Sequence, residues 1–151
     1  MVAGHLGEWI ASQVFDIELE TSAATAAIDG RFRSGPLLGK TVNIKWYLKR
    51  EGLLDMTLTD TLDYYLVMTG PAGAPSSSAG RVRPWLIDDV YLFDARQLSL
   101  VQQSRGVKVG PASSVPSRYW AVAEIFPNWT NPLLQITPEQ SAVLGLFKQR
   151  E

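Results

Sequence analysis

The sequence predicts an α/β fold: a single domain over residues 1–151, with a central mixed sheet flanked by helices. Three observations lead there. Residues Thr41–Tyr47 alternate between apolar and polar positions, and residues 63–69 are nearly continuously apolar. Apolar residues recur at helical spacing near both ends of the chain. At 151 residues, 46% hydrophobic and 19% charged, the composition is that of one globular domain with one core.

The elements follow in order. Leu6, Ile10 and Val14 have the i, i+4, i+8 spacing of a helix over residues 6–15. Glu8 lies off that stripe, on a flank with Ala11, Ser12 and Phe15, and is not placed as a core residue. Small apolar residues at 23–28 suit a short strand ending at Asp29-Gly30. Ser34-Gly35-Pro36 and Gly39 mark bends. On the strand Thr41–Tyr47, Val42, Ile44 and Trp46 point one way, and Asn43, Lys45 and Tyr47 the other. Residues 63–69 read as a central strand covered on both faces. Residues 70–84, with their prolines and serines, read as a flexible surface loop carrying Arg81 and Arg83. A strand at 85–93, a helix at 95–103 and strands at 105–109 and 119–126 come next. A closing helix starts at Thr137, with Pro138 at its first position and Gln140 placed for a capping box. Val143, Leu144 and Phe147 form its apolar face.

Composition excludes several chemistries. With no Cys there is no disulfide framework, thiolate metal site or cysteine nucleophile. His5 is the sole histidine, which rules out a multi-histidine metal site and reads as an ordinary residue of a mobile terminus. No apolar run approaches the ~20 residues that span a bilayer, and the N-terminus has no secretory pattern, so the expected setting is cytoplasmic and away from membranes. Residues 35–41 resemble a phosphate-binding loop only superficially: three residues separate the glycines instead of four, and Pro36 has no N–H to offer. Asn128-Trp129-Thr130 matches a glycosylation acceptor, which carries no meaning without a secretory signal.

The net charge of −1 hides an asymmetry. Residues 1–29 hold five acids and no Lys or Arg, whereas residues 30–50 hold six cations (Arg31, Arg33, Lys40, Lys45, Lys49, Arg50) and no acid. Such a block can attract a polyanion, and equally it can solvate a turn and two strand ends.

Three residues bear jointly on chemistry: Glu8 on the first helix, Asp29 at a strand end, and Lys45 two residues after Asn43 on one strand face. Carboxylates can hold a hard divalent cation, while a neighbouring ammonium stabilises charge on a phosphate under attack. In this order the residues resemble the PD-(D/E)XK, or restriction-endonuclease-like, nuclease superfamily. There an early helix carries a glutamate, an aspartate ends a strand, and (D/E)-X-K lies on the next strand. The matching residues are Gly7-Glu8, Ile28-Asp29-Gly30 and Asn43-Ile44-Lys45, with the apolar strand at 63–69 continuing the sheet. The C-terminal third carries no such match.

The resemblance implies a metal-dependent endonuclease acting on DNA. Glu8, Asp29 and the Ile44 carbonyl would hold Mg²⁺ or Mn²⁺, Asn43 would offer a neutral oxygen, and Lys45 would assist water attack. Arg31, Arg33, Lys40, Lys49 and Arg50 would meet backbone phosphates, and a homodimer would grip a duplex. Asn43 departs from the pattern, because an amide brings no charge and cannot act as a base; Glu8 or Glu20 can replace the missing acid. The same departure suits an inactive nuclease-fold module that binds nucleic acid or protein. Each residue also has a purely structural reading. Asp-Gly is a common hairpin dipeptide, a glutamate near a helix start suits the helix dipole, and Lys45 can belong to a solvated strand face. On that reading the chain is an unrelated α/β domain. Trp46 and Tyr47 can stack on bases, but strand aromatics more often pack, and Trp46 is expected to pack.

Overall fold

The computed structural model describes residues 3–21, 27–71 and 86–148. Its elements are α1 (Ala3–Phe15), β1 (Ile17–Leu19), β2 (Gly30–Phe32), β3 (Thr41–Tyr47), β4 (Leu53–Leu54), β5 (Tyr64–Thr69), β6 (Asp89–Asp94), α2 (Ala95–Ser104), β7 (Ser113–Ser114), α3 (Ser117–Ala123), β8 (Glu124–Phe126) and α4 (Pro138–Gly145). Six strands form one mixed sheet in the order β1-β2-β3-β5-β6-β8, and β4 and β7 form a separate two-stranded ribbon. β3 and β5 run parallel, with Lys45 opposite Val67; the other neighbours in the sheet are antiparallel.

The expected alternation of β3 sorts its residues between two cores. Val42 and Ile44 are buried with Ile10, Ala11, Val14 and Phe15 of α1 and Leu144 of α4, and Trp46 packs against the same cluster. On the other face Tyr47 packs against a second cluster that includes Tyr65, Val67, Tyr91, Leu98 and Trp120. Helices on both faces make three layers, and β5 between them is buried along its whole length. The two glycine-sized contacts that matter lie near the β3 edge. A Cβ at Gly7 would stand 3.1 Å from Trp46 Cε3, so α1 crosses β3 closely; a Cβ at Gly30 would stand 2.5 Å from the Glu18 carbonyl.

Several expectations are corrected. Residues 23–26 of the expected strand at 23–28 lie outside the described residues, and Ala27 and Ile28 are not in a strand; the strand begins at Gly30, after Asp29. The flank of α1 that carries Ala11, Ser12 and Phe15 is buried, so the helix turns a wider face inward than its stripe indicates. Most of the expected loop at 70–84 lies outside the described residues, as does Trp85, and β6 starts at Asp89. Residues 105–109 form no strand. Gly106, at φ +71, ends α2 in the left-handed conformation, its N–H donating to the Gln103 carbonyl. Residues 119–126 split into α3 and β8. Burying Trp120 and Ala123 one helical turn apart sets the ring against Tyr91 and Phe93 (centroids 4.8 and 4.9 Å). α4 forms with its capping box, Gln140 N–H donating to Thr137 Oγ1 and Thr137 N–H to Gln140 Oε1. However, Val143 is exposed while Leu144 is buried.

Candidate active site at the open edge of strand β3

The site begins with a strand that stops early. β2 pairs with β3 only through Arg31 opposite Thr41 and Gly30 opposite Val42. Lys40 and Val42 turn their carbonyls toward β2, accepting from Phe32 N–H (3.1 Å) and Asp29 N–H (2.9 Å). Tyr47 turns its carbonyl toward the β5 side, accepting from Gly70 N–H. Even-numbered residues of β3 thus direct their main-chain groups to the β2 edge, and at Ile44 no strand is there to meet them. Asp29 fills the gap with its side chain, one carboxylate oxygen accepting from Ile44 N–H at 2.7 Å. That contact holds the carboxylate along the sheet edge, and the Ile44 carbonyl is directed to the same side.

Asn43 is almost completely buried beside it, at 9% exposure. Its amide donates to the Ala27 carbonyl at 2.8 Å, where Ala27 takes φ 68. Its Oδ1 is buried, with no hydrogen-bond partner among the described residues. An orphaned acceptor in such a place is costly.

Lys45 lies two residues on, half-buried on the face away from α1, and makes no ion pair with any described residue. Burial pushes its ammonium pKa down, while the charges of Asp55 and Asp29 hold it up. Asp55, which stands in no motif of the sequence, comes in directly after β4. Its backbone N–H donates to Tyr47 Oη (2.9 Å), and its Oδ1 accepts from Ala112 N–H (2.8 Å).

Glu8 arrives from the opposite face. Gly7 crosses β3 closely at Trp46, and Glu8 follows it on α1, half-buried. Burial raises its pKa, the nearby charge of Asp29 raises it further, and His5 one helical turn away counteracts. Asp29 is raised as well, by burial foremost, against the pull of Ile44 N–H and Lys45. Asp29 is therefore electrostatically coupled to Glu8 from the α1 side and to Lys45 from the other. His5 itself is exposed within α1 and not in a loose terminus.

Glu20 neighbours Asp29 across the β1–β2 pair, its N–H donating to the Asp29 carbonyl at 2.7 Å. Among the described residues, no group of three or more His, Cys, Asp or Glu side chains comes together as a metal site. The groups that the sequence pattern nominates, the Glu8 and Asp29 carboxylates, the Ile44 carbonyl and Asn43 Oδ1, are all oxygens, the donor type that a hard cation takes.

The cationic block is divided by its surroundings. Arg33 is tied to Asp16 (2.9 Å), whose other oxygen accepts from Ser34 Oγ (2.7 Å). Arg50 donates to Tyr91 Oη (2.9 Å), with Asp89 and Glu124 nearby. Lys49 stands 3.9 Å from Glu51. Arg31, cross-strand from Thr41, shares the Lys45 face of the sheet, with a long contact to the Gly39 carbonyl (3.4 Å), and Lys40 is exposed. Trp46 packs as expected, its indole N–H donating to the Leu86 carbonyl (3.0 Å). Tyr47 is partly buried against the second core, its hydroxyl held by Asp55 N–H. A cavity of about 290 Å³ opens between β6, α2 and α3, and none of its lining residues belongs to this edge. No helix among the described residues is long and apolar enough to cross a membrane.

No protein-family model matches the sequence, and no curated protein matches it.

Proposed function

We propose that the protein is a metal-dependent nuclease of the restriction-endonuclease-like kind, hydrolysing DNA phosphodiester bonds at the β3 edge. The observation that carries this reading is the electrostatic coupling of Asp29 to Glu8 and to Lys45 beside the unpaired stretch of β3. The order of elements supports it too: a helix with Glu8, a strand preceded by Asp29, and Asn43-Ile44-Lys45 on the next strand.

Each residue has a task. Glu8, Asp29, the Ile44 carbonyl and Asn43 Oδ1 would hold Mg²⁺ or Mn²⁺, which supplies a bound water of lowered pKa and neutralises charge on the phosphate. Both carboxyls are held above their ordinary range by burial, so a cation stabilises their ionised forms. The Ile44 N–H fixes the orientation of Asp29. Lys45, without an ion pair, offers its ammonium hydrogens to a phosphate oxygen as charge accumulates in the pentacoordinate transition state. Arg31 and Lys40 extend positive charge along the approach, and a second copy of the chain would complete the grip on a duplex. We assign the protein a cytoplasmic setting as part of the same reading.

Asn43 favours a second reading, an inactive module that keeps the fold and binds nucleic acid or protein. It is neutral where the family pattern carries an acid, and its amide is engaged by Ala27. Incubation of single- and double-stranded DNA with the protein and Mg²⁺ or Mn²⁺ separates the two. Cleavage that disappears in Lys45→Ala supports the nuclease; intact DNA with wild-type protein leaves the binding module.

A further inference from the structure

We propose that the cavity between β6, α2 and α3 is a second binding site, one that takes a small amine with an apolar, aryl-sized body. It shares no residue with the β3 edge, so the inference stands apart from the nuclease reading.

The cavity exists because β8 is short. β6 spans six residues, but β8 pairs with it only through Val90 and Tyr91, and the ladder is irregular between them. Beyond Tyr91 no strand of the described residues lies on that side of β6. Asn131, at 2% exposure, takes the place of one. Its amide donates to the Leu92 and Ala123 carbonyls (2.8 Å each), and its Oδ1 accepts from Leu133 N–H (2.9 Å). One side chain is slimmer than a strand with its own side chains, and a space of about 290 Å³ is left beside it. That is about twice the ~150 Å³ that holds one benzene, room for roughly ten heavy atoms.

The walls select the ligand. Leu92, Phe93, Leu98, Val101, Ala123 and Leu133 make them apolar, and Asn131 has both ends of its amide spent on main chain. Asp94 carries the only formal charge in the lining. It caps α2, Oδ1 accepting from Gln97 N–H at 3.0 Å, and Gln97 belongs to the same wall. The cap holds the carboxylate against the first turn of α2 and uses one of its oxygens; the other accepts from no described residue. The neighbouring cations are engaged elsewhere and line no part of the cavity. Arg96 donates to the Asp60 carbonyl (2.7 Å), and Arg118 lies 4.8 Å over the Tyr119 ring. A carboxylate without an ion pair in the wall of an apolar cavity favours an ammonium group and disfavours an anion.

The test titrates phenethylamine and phenylacetate, a phenyl ring with either charge, into isotope-labelled protein by NMR at pH 7. On wild-type protein the amine is expected to shift the amides of Leu98, Val101, Ala123 and Leu133, and to bind about tenfold more tightly than the acid. Asp94→Asn keeps an acceptor for Gln97 N–H and should erase that preference. Val101→Phe fills the cavity from a half-buried position and should weaken both ligands about tenfold. Wild-type protein that binds neither ligand, binds both equally or shows shifts only at other residues overturns the assignment. So does a preference that survives in Asp94→Asn, or binding that is unchanged in Val101→Phe.

Discussion

Asp29 and Ile44 meet at the point where β2 ends and β3 continues, the Asp29 carboxylate taking the main-chain N–H that a longer strand would have taken. One side chain thus replaces a strand partner and, by the same contact, is aimed along the sheet edge. Its neighbours come from opposite layers, Glu8 from the α1 side and Lys45 from the ribbon side. A residue at a sheet edge can join groups from both faces, which a residue in the middle of either face cannot.

Removing the Asp29 carboxylate should expose the structural half of this arrangement. Asp29→Ala orphans Ile44 N–H and should cost ~1–3 kcal/mol in urea unfolding. Asp29→Asn keeps an acceptor for that N–H and should escape this cost.

The pH dependence separates charge from shape. Asp29 and Glu8 both have folded-state pKa values above their ordinary ones. The folded state then binds more protons than the unfolded state between the two values, and unfolding releases them. These groups impose no penalty below the ordinary carboxylate range, and stability falls as pH climbs through the raised values. At pH 7 Asp29→Asn should melt at or above the wild-type Tm, and the advantage should vanish near pH 3. Thermal melts at the two pH values check it. Asp16 acts oppositely: hydrogen bonds from Ser34 and Arg33 lower its pKa, so its contribution is present at neutral pH and fades on acidification.

Gly7→Ala should separate folding from the site. The added methyl meets Trp46 Cε3 at 3.1 Å and Trp46 Cβ at 3.2 Å, so α1 must lift or the indole must shift. The expected cost is ~1–3 kcal/mol. Glu8, the next residue, moves with the helix, so Mg²⁺ affinity by calorimetry should fall while far-ultraviolet circular dichroism stays native.

Salt dependence tests how much of the cationic block serves DNA. Arg33, Lys49 and Arg50 are engaged by Asp16, Glu51 and Tyr91, which leaves Arg31, Lys40 and Lys45. Three phosphate contacts per protomer give a slope of log affinity against log salt near −3, at ~0.9 per contact. All six cations acting together would give a slope steeper than −5 on the same arithmetic. Arg33→Ala should lower Tm slightly and leave the slope unchanged.

Much of the sheet was legible because its central strands obey local rules. In Thr41–Tyr47 the apolar positions face α1 and the polar ones the other side, and the continuous apolar run of β5 follows from its burial on both faces. What was not legible depended on partners distant in sequence. The apolar run from Tyr119 to Phe126 suits a strand by composition, and half of it became helix because Tyr91 and Phe93 receive Trp120. β1 was missed although Ile17-Glu18-Leu19 alternates, since three residues make a weak period. Residues 105–109 suit a strand through Val107 and Val109, but Gly106 in the left-handed conformation closes α2 there instead. For the site, the spacing of Glu8, Asp29 and Lys45 was legible as order, whereas the Asp29–Ile44 contact depends on β2 stopping short. Asp55 had no local signature, because its place is set by hydrogen bonds to Tyr47 and Ala112.

The most direct test of the central claim is titration of Mn²⁺ into wild-type protein, Glu8→Gln and Asp29→Asn, followed by calorimetry at pH 7. If the two carboxylates and the β3 edge form one centre, wild-type protein binds the cation with millimolar or tighter affinity, Asp29→Asn abolishes binding, and Glu8→Gln weakens it at least tenfold. Equal binding by all three proteins, or none by wild type, contradicts a shared metal centre at this edge.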